Sequence, residues 1–103
     1  MVNYNGIRWK NVRAAVLRRD EYLCQECKRY GKSTEATTVH HILPADECAG
    51  EYERFQYDSR NLISLCRKCH ERMHIRNSRE LSEAGERLLR RKKIIQSINK
   101  EGI

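Results

Sequence analysis

The residues of this chain best suited to chemistry are its four histidines. Two stand side by side in VHHILP, residues 39–44, as His40 and His41, and two stand four apart in CRKCHERMH as His70 and His74. Residues i and i+4 of a helix share one face, so His70 and His74 can ligate one ion if their segment is helical. Imidazole has an ordinary pKa of about 6.5, which lets it take a proton from water near neutral pH. Read singly, each histidine could equally be a packed or surface residue, and one of the helical pair could replace a cysteine in a zinc site. Every histidine, however, falls in one of two tight pairs, which argues for a shared site.

The cysteines supply a second constellation. Cys24-x-x-Cys27 and Cys66-x-x-Cys69 form two knuckles. Two intervening residues let both thiolates of a knuckle turn toward one point, and two knuckles supply the four sulfurs that tetrahedral Zn²⁺ takes. Residues 28–65 separate the knuckles, 38 positions in all, against roughly 15–20 in the commonest zinc pattern. The clasp therefore closes a large loop, and His40 and His41 lie inside it. With four protein ligands no position remains for a substrate, so the clasp is structural. Unpaired or disulfide-linked cysteines are the alternative, disfavoured in a reducing compartment. Cys48 falls outside both knuckles and reads as a spare, inert thiol.

These groups need elements to position them. IRWKNVRAAVLRR, residues 7–19, places Ile7, Trp9, Val12, Val16 and Leu17 at near-helical spacing and predicts a short amphipathic helix. CQECKRYGKS reads as a tight turn. ATTVHHIL, rich in β-branched residues, predicts a strand that ends near Pro44. ADECAGEYERFQYDSR reads as a loop, NLISL as a second strand, and CRKCHERMHIR as a turn into a helix. A last helix is expected from Asn77, an N-cap residue with Glu80 three positions on. Leu81, Ala84, Leu88 and Ile95 would share one face of it. Arg90, Arg91, Lys92 and Lys93 form a basic cluster there, either a solvated face or a contact for a phosphate backbone. The expected organisation is a domain over residues 1–76 and a basic amphipathic helix over residues 77–103.

Composition bounds the function. A chain of 103 residues with 39% hydrophobic content buries a thin core, and small domains of this kind carry a disulfide or metal staple. The net charge of +7 suits a polyanionic partner, nucleic acid above all, the alternative being a basic surface that only keeps the chain soluble. No run approaches the roughly 18 apolar residues of a membrane span. The opening MVNYNGIRWK has no apolar stretch, so no secretory signal is expected. A cytoplasmic location follows as the expectation.

VHHILP, NLISL and CRKCHERMH, in that order and framed by CxxC…CxxC, resemble the HNH endonuclease motif. The likeness runs from about Trp9 to His74. With RWKNVRAAVLRRDEYLCQEC ahead of it, the chain is most similar to small stand-alone HNH nucleases of phages, often encoded beside the packaging terminase. The resemblance implies an α+β fold: a ββα-metal core with a four-cysteine zinc clasp, an N-terminal helix and a C-terminal basic helix. It assigns His41 as general base, Asn61 as the middle motif residue bracing the loop between the strands, and His70 as the final histidine. His40 stands where many members carry aspartate. Asn61 precedes His70 by nine residues and His74 by thirteen, a spacing similar to colicin-type nuclease domains, and this implies a His40, His70, His74 ligand set. Three imidazoles are softer than an aspartate-containing set and suit Zn, Ni, Co or Cu better than Mg. The catalytic divalent ion is therefore expected among Mg²⁺, Mn²⁺, Ni²⁺, Co²⁺ and Zn²⁺.

The function so implied is metal-dependent hydrolysis of DNA phosphodiester bonds, nicking or cutting with low sequence specificity. Arg60, Arg67, Lys68 and Arg72 flank the motif and are expected to contact phosphates, which sets affinity without reading sequence. Terminase or other packaging proteins are the implied protein partners. A zinc-stabilised DNA-binding module without catalysis is the alternative, against which His41 and the ligand set argue. A nuclease toxin is a weaker one, since no delivery segment is visible. Neighbouring residues of a strand face opposite ways. For His40 to hold an ion while His41 faces water, either the strand end bends or the phosphate lies between them.

Overall fold

The structure, a computed structural model, describes residues 2–76 and 78–94. Its centre is a two-stranded antiparallel sheet, β1 (Thr38–His41) against β2 (Leu62–Leu65). The register pairs Thr38 with Leu65, Val39 with Ser64, His40 with Ile63 and His41 with Leu62. Directly opposed residues share a face, so Val39, His41 and Leu62 turn one way while His40 and Ile63 turn the other. Both faces of β2 are covered, which is why LISL lacks the alternation of a half-solvated strand and all four of its residues are buried.

Helix α1 (Ile7–Arg19) covers the first face. Trp9, Val16 and Leu17 are buried there beside Val39 and Leu62. Ile7, expected on the same stripe, is instead 77% exposed. Two residues turn a helix by about 200°, so Ile7 lies almost opposite Trp9. At its C-terminal end α1 is tied to the outer edge of β2. The Asp20 carboxylate accepts from Ser64 N–H at 3.0 Å and pairs with Arg19 at 2.9 Å, while Arg19 donates to the Leu62 carbonyl at 2.8 Å.

This lock gives a stability prediction. Burial alone would raise the Asp20 pKa, but hydrogen bonds from Arg19 and Ser64 outweigh it and hold the group below its ordinary 3.8. Asp20→Ala leaves the Ser64 N–H buried and unpaired, a loss of about 1–3 kcal/mol by urea denaturation. Because the folded-state pKa is depressed, the gap between wild type and variant is complete above pH 3.8. It closes as pH falls through the lower folded value. A gap independent of pH in that range would rule out the carboxylate as its source.

The second face of the sheet packs on the larger core, which holds Cys24, Ile42, Phe55, Ile63, Leu65, Met73 and Leu88. The CQECKRYGKS segment, expected as a turn, contains a one-turn helix, α2 (Gln25–Arg29), before Gly31 reverses the chain at φ 77°. Both strands are shorter than the sequence suggests: Ile42 and Leu43 leave β1 to enter this core, and Asn61 belongs to a 3₁₀ turn ahead of β2. The segment between the strands is a run of 3₁₀ turns, Ala45–Glu47, Gly50–Gln56 and Ser59–Asn61, rather than plain loop. Phe55, Gln56 and Asn61, all buried, pin it inward.

Helix α3 (Arg67–Arg72) follows β2 directly, and α4 (Glu83–Lys92) returns across its end. The last helix starts at Glu83, not near Asn77. Ser82 caps it by accepting from Gly85 N–H at 3.2 Å, and ahead of it His74 pairs with Leu81 in an isolated antiparallel bridge. Asn77 and Ile95 lie outside the described residues, as does the segment 95–103. A side chain at Gly85 would collide with the Met73 carbonyl, so α4 crosses the end of α3 at backbone contact. Among the described residues no helix is long and apolar enough to cross a membrane.

Candidate active site and metal centre

His40 leaves β1 on the face that α3 covers. There it meets His70 from α3 and His74, which stands one residue beyond the helix cap Met73 rather than within the helix. The turn after α3 nevertheless keeps the two aligned. All three ring-centroid separations are 5.2 Å, and one ligand nitrogen from each histidine lies within 4.8 Å of the others.

Several features fit this triad to a cation. His40 Nε2 is buried and has no hydrogen-bond partner among the described residues. An orphaned buried polar atom costs about 1–3 kcal/mol, which a bound ion would offset. Burial, then the charges of His70, His74 and His41, holds the His40 pKa down to about 3, so its lone pair is free at neutral pH. Burial and the neighbouring His74 charge lower His70 as well. His74 Nδ1 lies 3.1 Å from the Arg79 carbonyl. A carbonyl only accepts, so Nδ1 carries the proton and Nε2 keeps its lone pair, the outer support common to metal-binding histidines.

The pleat sends His41 to the α1 face. Its Nε2 donates to the Gln56 carbonyl at 2.9 Å, leaving Nδ1 unprotonated. Burial lowers its pKa, partly opposed by that hydrogen bond. Gln56 is itself held by donation from its side chain to the Cys48 carbonyl at 2.7 Å. The strand end therefore need not bend: His40 and His41 occupy opposite faces, and one open cavity of about 650 Å³ running along β1 is lined by both, with His70 and His74.

Asn61, fully buried, joins the two ends of the 3₁₀ segment. Its Oδ1 accepts from Leu43 N–H at 2.7 Å, and its Nδ2 donates to the Leu43 and Phe55 carbonyls at 3.1 Å each. Removal in Asn61→Ala is expected to cost about 1–3 kcal/mol for the stranded Leu43 amide alone. The measurement is the urea midpoint at constant m-value. An unmoved midpoint would mean that other contacts brace the segment.

The four clasp sulfurs lie within 4.8 Å of one another. Cys24 and Cys66 are the N-caps of α2 and α3, so each knuckle is a helix start. Cys27 Sγ is 3.9 Å from Cys66 Sγ and 3.7 Å from Cys69 Sγ. Zinc–sulfur bonds of about 2.3 Å imply a tetrahedron edge of about 3.8 Å, so the spacing is that of ligands around an ion. Burial opposes ionisation of Cys66, but hydrogen bonds from Cys69 and the other thiols bring it to about 7. Cys48 stays apart, its thiol donating to the Leu43 carbonyl at 3.5 Å and pushed up to about 11 by burial.

The expected phosphate contacts lie elsewhere. Arg67, Lys68 and Arg72 are exposed on α3, with Arg67 paired to Glu71 at 3.1 Å, and Arg60 pairs with Asp58 at 2.7 Å. None of the four lines the cavity of the histidines, whereas Arg13, Asp46 and Arg79 do. Sequence reasoning missed these three, and Gln56, because nothing in their local spacing signals the site. Only the tertiary fold brings them to it.

Two strands and a helix around a cluster of imidazoles, clamped by four cysteines, define a ββα-metal nuclease domain. The HNH endonuclease family model matches residues 24–76. Among solved structures, the HNH endonuclease of the deep-sea thermophilic bacteriophage GVE2, crystallised with a manganese ion, is 42% identical with a TM-score of 0.58. The match covers 67% of this chain and 71% of that one. No curated protein matches. The chain belongs to the HNH endonuclease family, and it is a nuclease.

Proposed function

We propose that this nuclease hydrolyses phosphodiester bonds of DNA through His41 as general base and a divalent ion held by His40, His70 and His74, nicking or cutting with low sequence specificity. The observation that carries the reading is the convergence of three imidazoles on one point beside a fourth that lines the same cavity and has its Nε2 engaged by the Gln56 carbonyl. His41 takes the proton from the attacking water, and its Nε2–H, held by Gln56, keeps the ring oriented as charge develops. His40, His70 and His74 would hold a divalent ion, which would supply Lewis-acid stabilisation of the charge developing on the phosphate. Asn61 holds the Gln56 segment in place. The manganese of the GVE2 relative favours Mn²⁺ within the set Mg²⁺, Mn²⁺, Ni²⁺, Co²⁺ and Zn²⁺.

The four-cysteine clasp holds structural Zn²⁺. Arg60, Arg67, Lys68 and Arg72 contact flanking phosphates. Residues 1–76 form the nuclease domain, and the basic helix within 77–103 extends the DNA-binding surface. Similarity to a phage enzyme supports action inside a host cell, where packaging proteins, terminase among them, are the proposed partners.

The test is conversion of supercoiled plasmid to nicked or linear form with each divalent ion in turn. Cleavage should require an added ion and stop with a mild chelator that leaves the clasp loaded. No cleavage with any ion would refute the proposal. Activity indifferent to chelation would remove the histidine-bound ion from it.

A further inference from the structure

Trp9 lies on α1, ahead of the matched segment 24–76. Its indole is 6% exposed and stacks on the His41 imidazole, centroids 5.2 Å apart and planes 15° from parallel. Tyr4 stands edge-on to both rings, 5.2 Å and 88° from the indole and 6.3 Å and 80° from the imidazole. Arg13, one turn further along α1, lines the same cavity as Trp9 and His41. The helix therefore forms part of the wall of the site as well as the cover of the sheet.

The hydrogen bond from His41 Nε2 to the Gln56 carbonyl fixes one ring atom at 2.9 Å. Carbonyl oxygens accept over a broad range of directions, so this bond alone leaves the ring free to tilt about the Nε2···O line. A parallel aromatic face removes that freedom. The Trp9–His41 separation falls in the range of offset-stacked pairs, a geometry that a plain apolar contact does not impose.

We propose that Trp9 is a positioning residue for His41: the stacked indole fixes the plane of the imidazole, so that Nδ1 faces the cavity. The inference rests on the reading of His41 as general base. A residue that merely filled the core would be replaceable by any apolar side chain of sufficient bulk. A positioning residue needs its flat face.

Three variants and two readouts separate these. Trp9→Leu keeps apolar bulk without a ring face, and its kcat for plasmid or oligonucleotide cleavage is expected to fall about 10- to 100-fold, with KM nearly unchanged. Trp9→Phe restores a face and is expected to recover most of that loss. The second readout needs no turnover. Trp9 is the sole tryptophan of the chain, and replacing the stacked imidazole changes the surroundings of its indole, so His41→Ala should shift its fluorescence emission. Wild-type kcat in Trp9→Leu, or equal losses in the Leu and Phe variants, would overturn the proposal. So would emission unchanged by His41→Ala, and this arm stands even if Trp9→Leu does not fold. If His41→Ala cleaves as fast as wild type, the base assignment fails instead. If His41→Ala is inactive while Trp9→Leu is not, only the positioning role fails.

Discussion

His41→Ala is expected to slow DNA cleavage by about 10²–10⁴-fold, the range that loss of a general base covers. The chain should remain folded and keep both the clasp ion and the histidine-bound ion. The imidazole sits between the Trp9 indole and the Gln56 carbonyl, on the sheet face away from His40, His70 and His74. Its removal forfeits a stacked pair worth about 0.5–1.5 kcal/mol and leaves one carbonyl without a donor. Neither change touches the triad. His40→Ala makes the contrast: it should lose the exchangeable ion, and cleavage with it, while the clasp stays loaded. Single-turnover rates with saturating Mn²⁺, set beside metal content and circular dichroism for each variant, test the division. A His41→Ala protein that cuts at the wild-type rate, fully loaded, would take that residue out of the reaction.

Opening the clasp is expected to have the larger effect on the fold. Cys24→Ser, or extraction of the clasp ion by a strong chelator, should abolish the cooperative melting transition. Structural zinc sites contribute about 10–16 kcal/mol of apparent binding free energy in small peptides. The total stability of a domain is only about 5–15 kcal/mol. Cys24 is fully buried, Cys66 and Cys69 belong to the same core as Ile63 and Leu65, and Cys66 starts the helix that carries His70. Losing the ion therefore unseats a candidate ligand of the second site along with the core. Near-UV circular dichroism and a thermal scan, before and after chelation and again after Zn²⁺ is restored, measure this. A chelated protein that melts at the wild-type temperature would show that packing alone sustains the domain.

What could be read from the chain follows the range of the interactions involved. The cysteine knuckles were legible because a two-residue spacing fixes ligand geometry locally, and the strand–strand–helix order followed from β-branched runs set between turn residues. The start of α4 was not. Asn77 and Glu80 carry a capping pattern as good as that at Ser82, but the Met73 turn and the small Gly85 select the later start. The stack of Trp9 on His41 lay equally out of sight, since helical periodicity marks Trp9 only as apolar. Arg13 and Arg79 reach the cavity through the crossing of α1 and the turn after α3, which depends on tertiary packing. Ile7 misled because it is apolar and stands two positions before Trp9, although the helix turns it to solvent.

The pairing of His40 with Ile63 and of His41 with Leu62 makes alignment and chemistry a single property. A slip of β1 by one position would swap the faces of both imidazoles and present each to the wrong neighbours. Secondary structure content would hardly change, yet the slipped protein would be inert. Insertions or deletions in the first strand should thus be barred more strictly than substitutions there, whatever they do to folding.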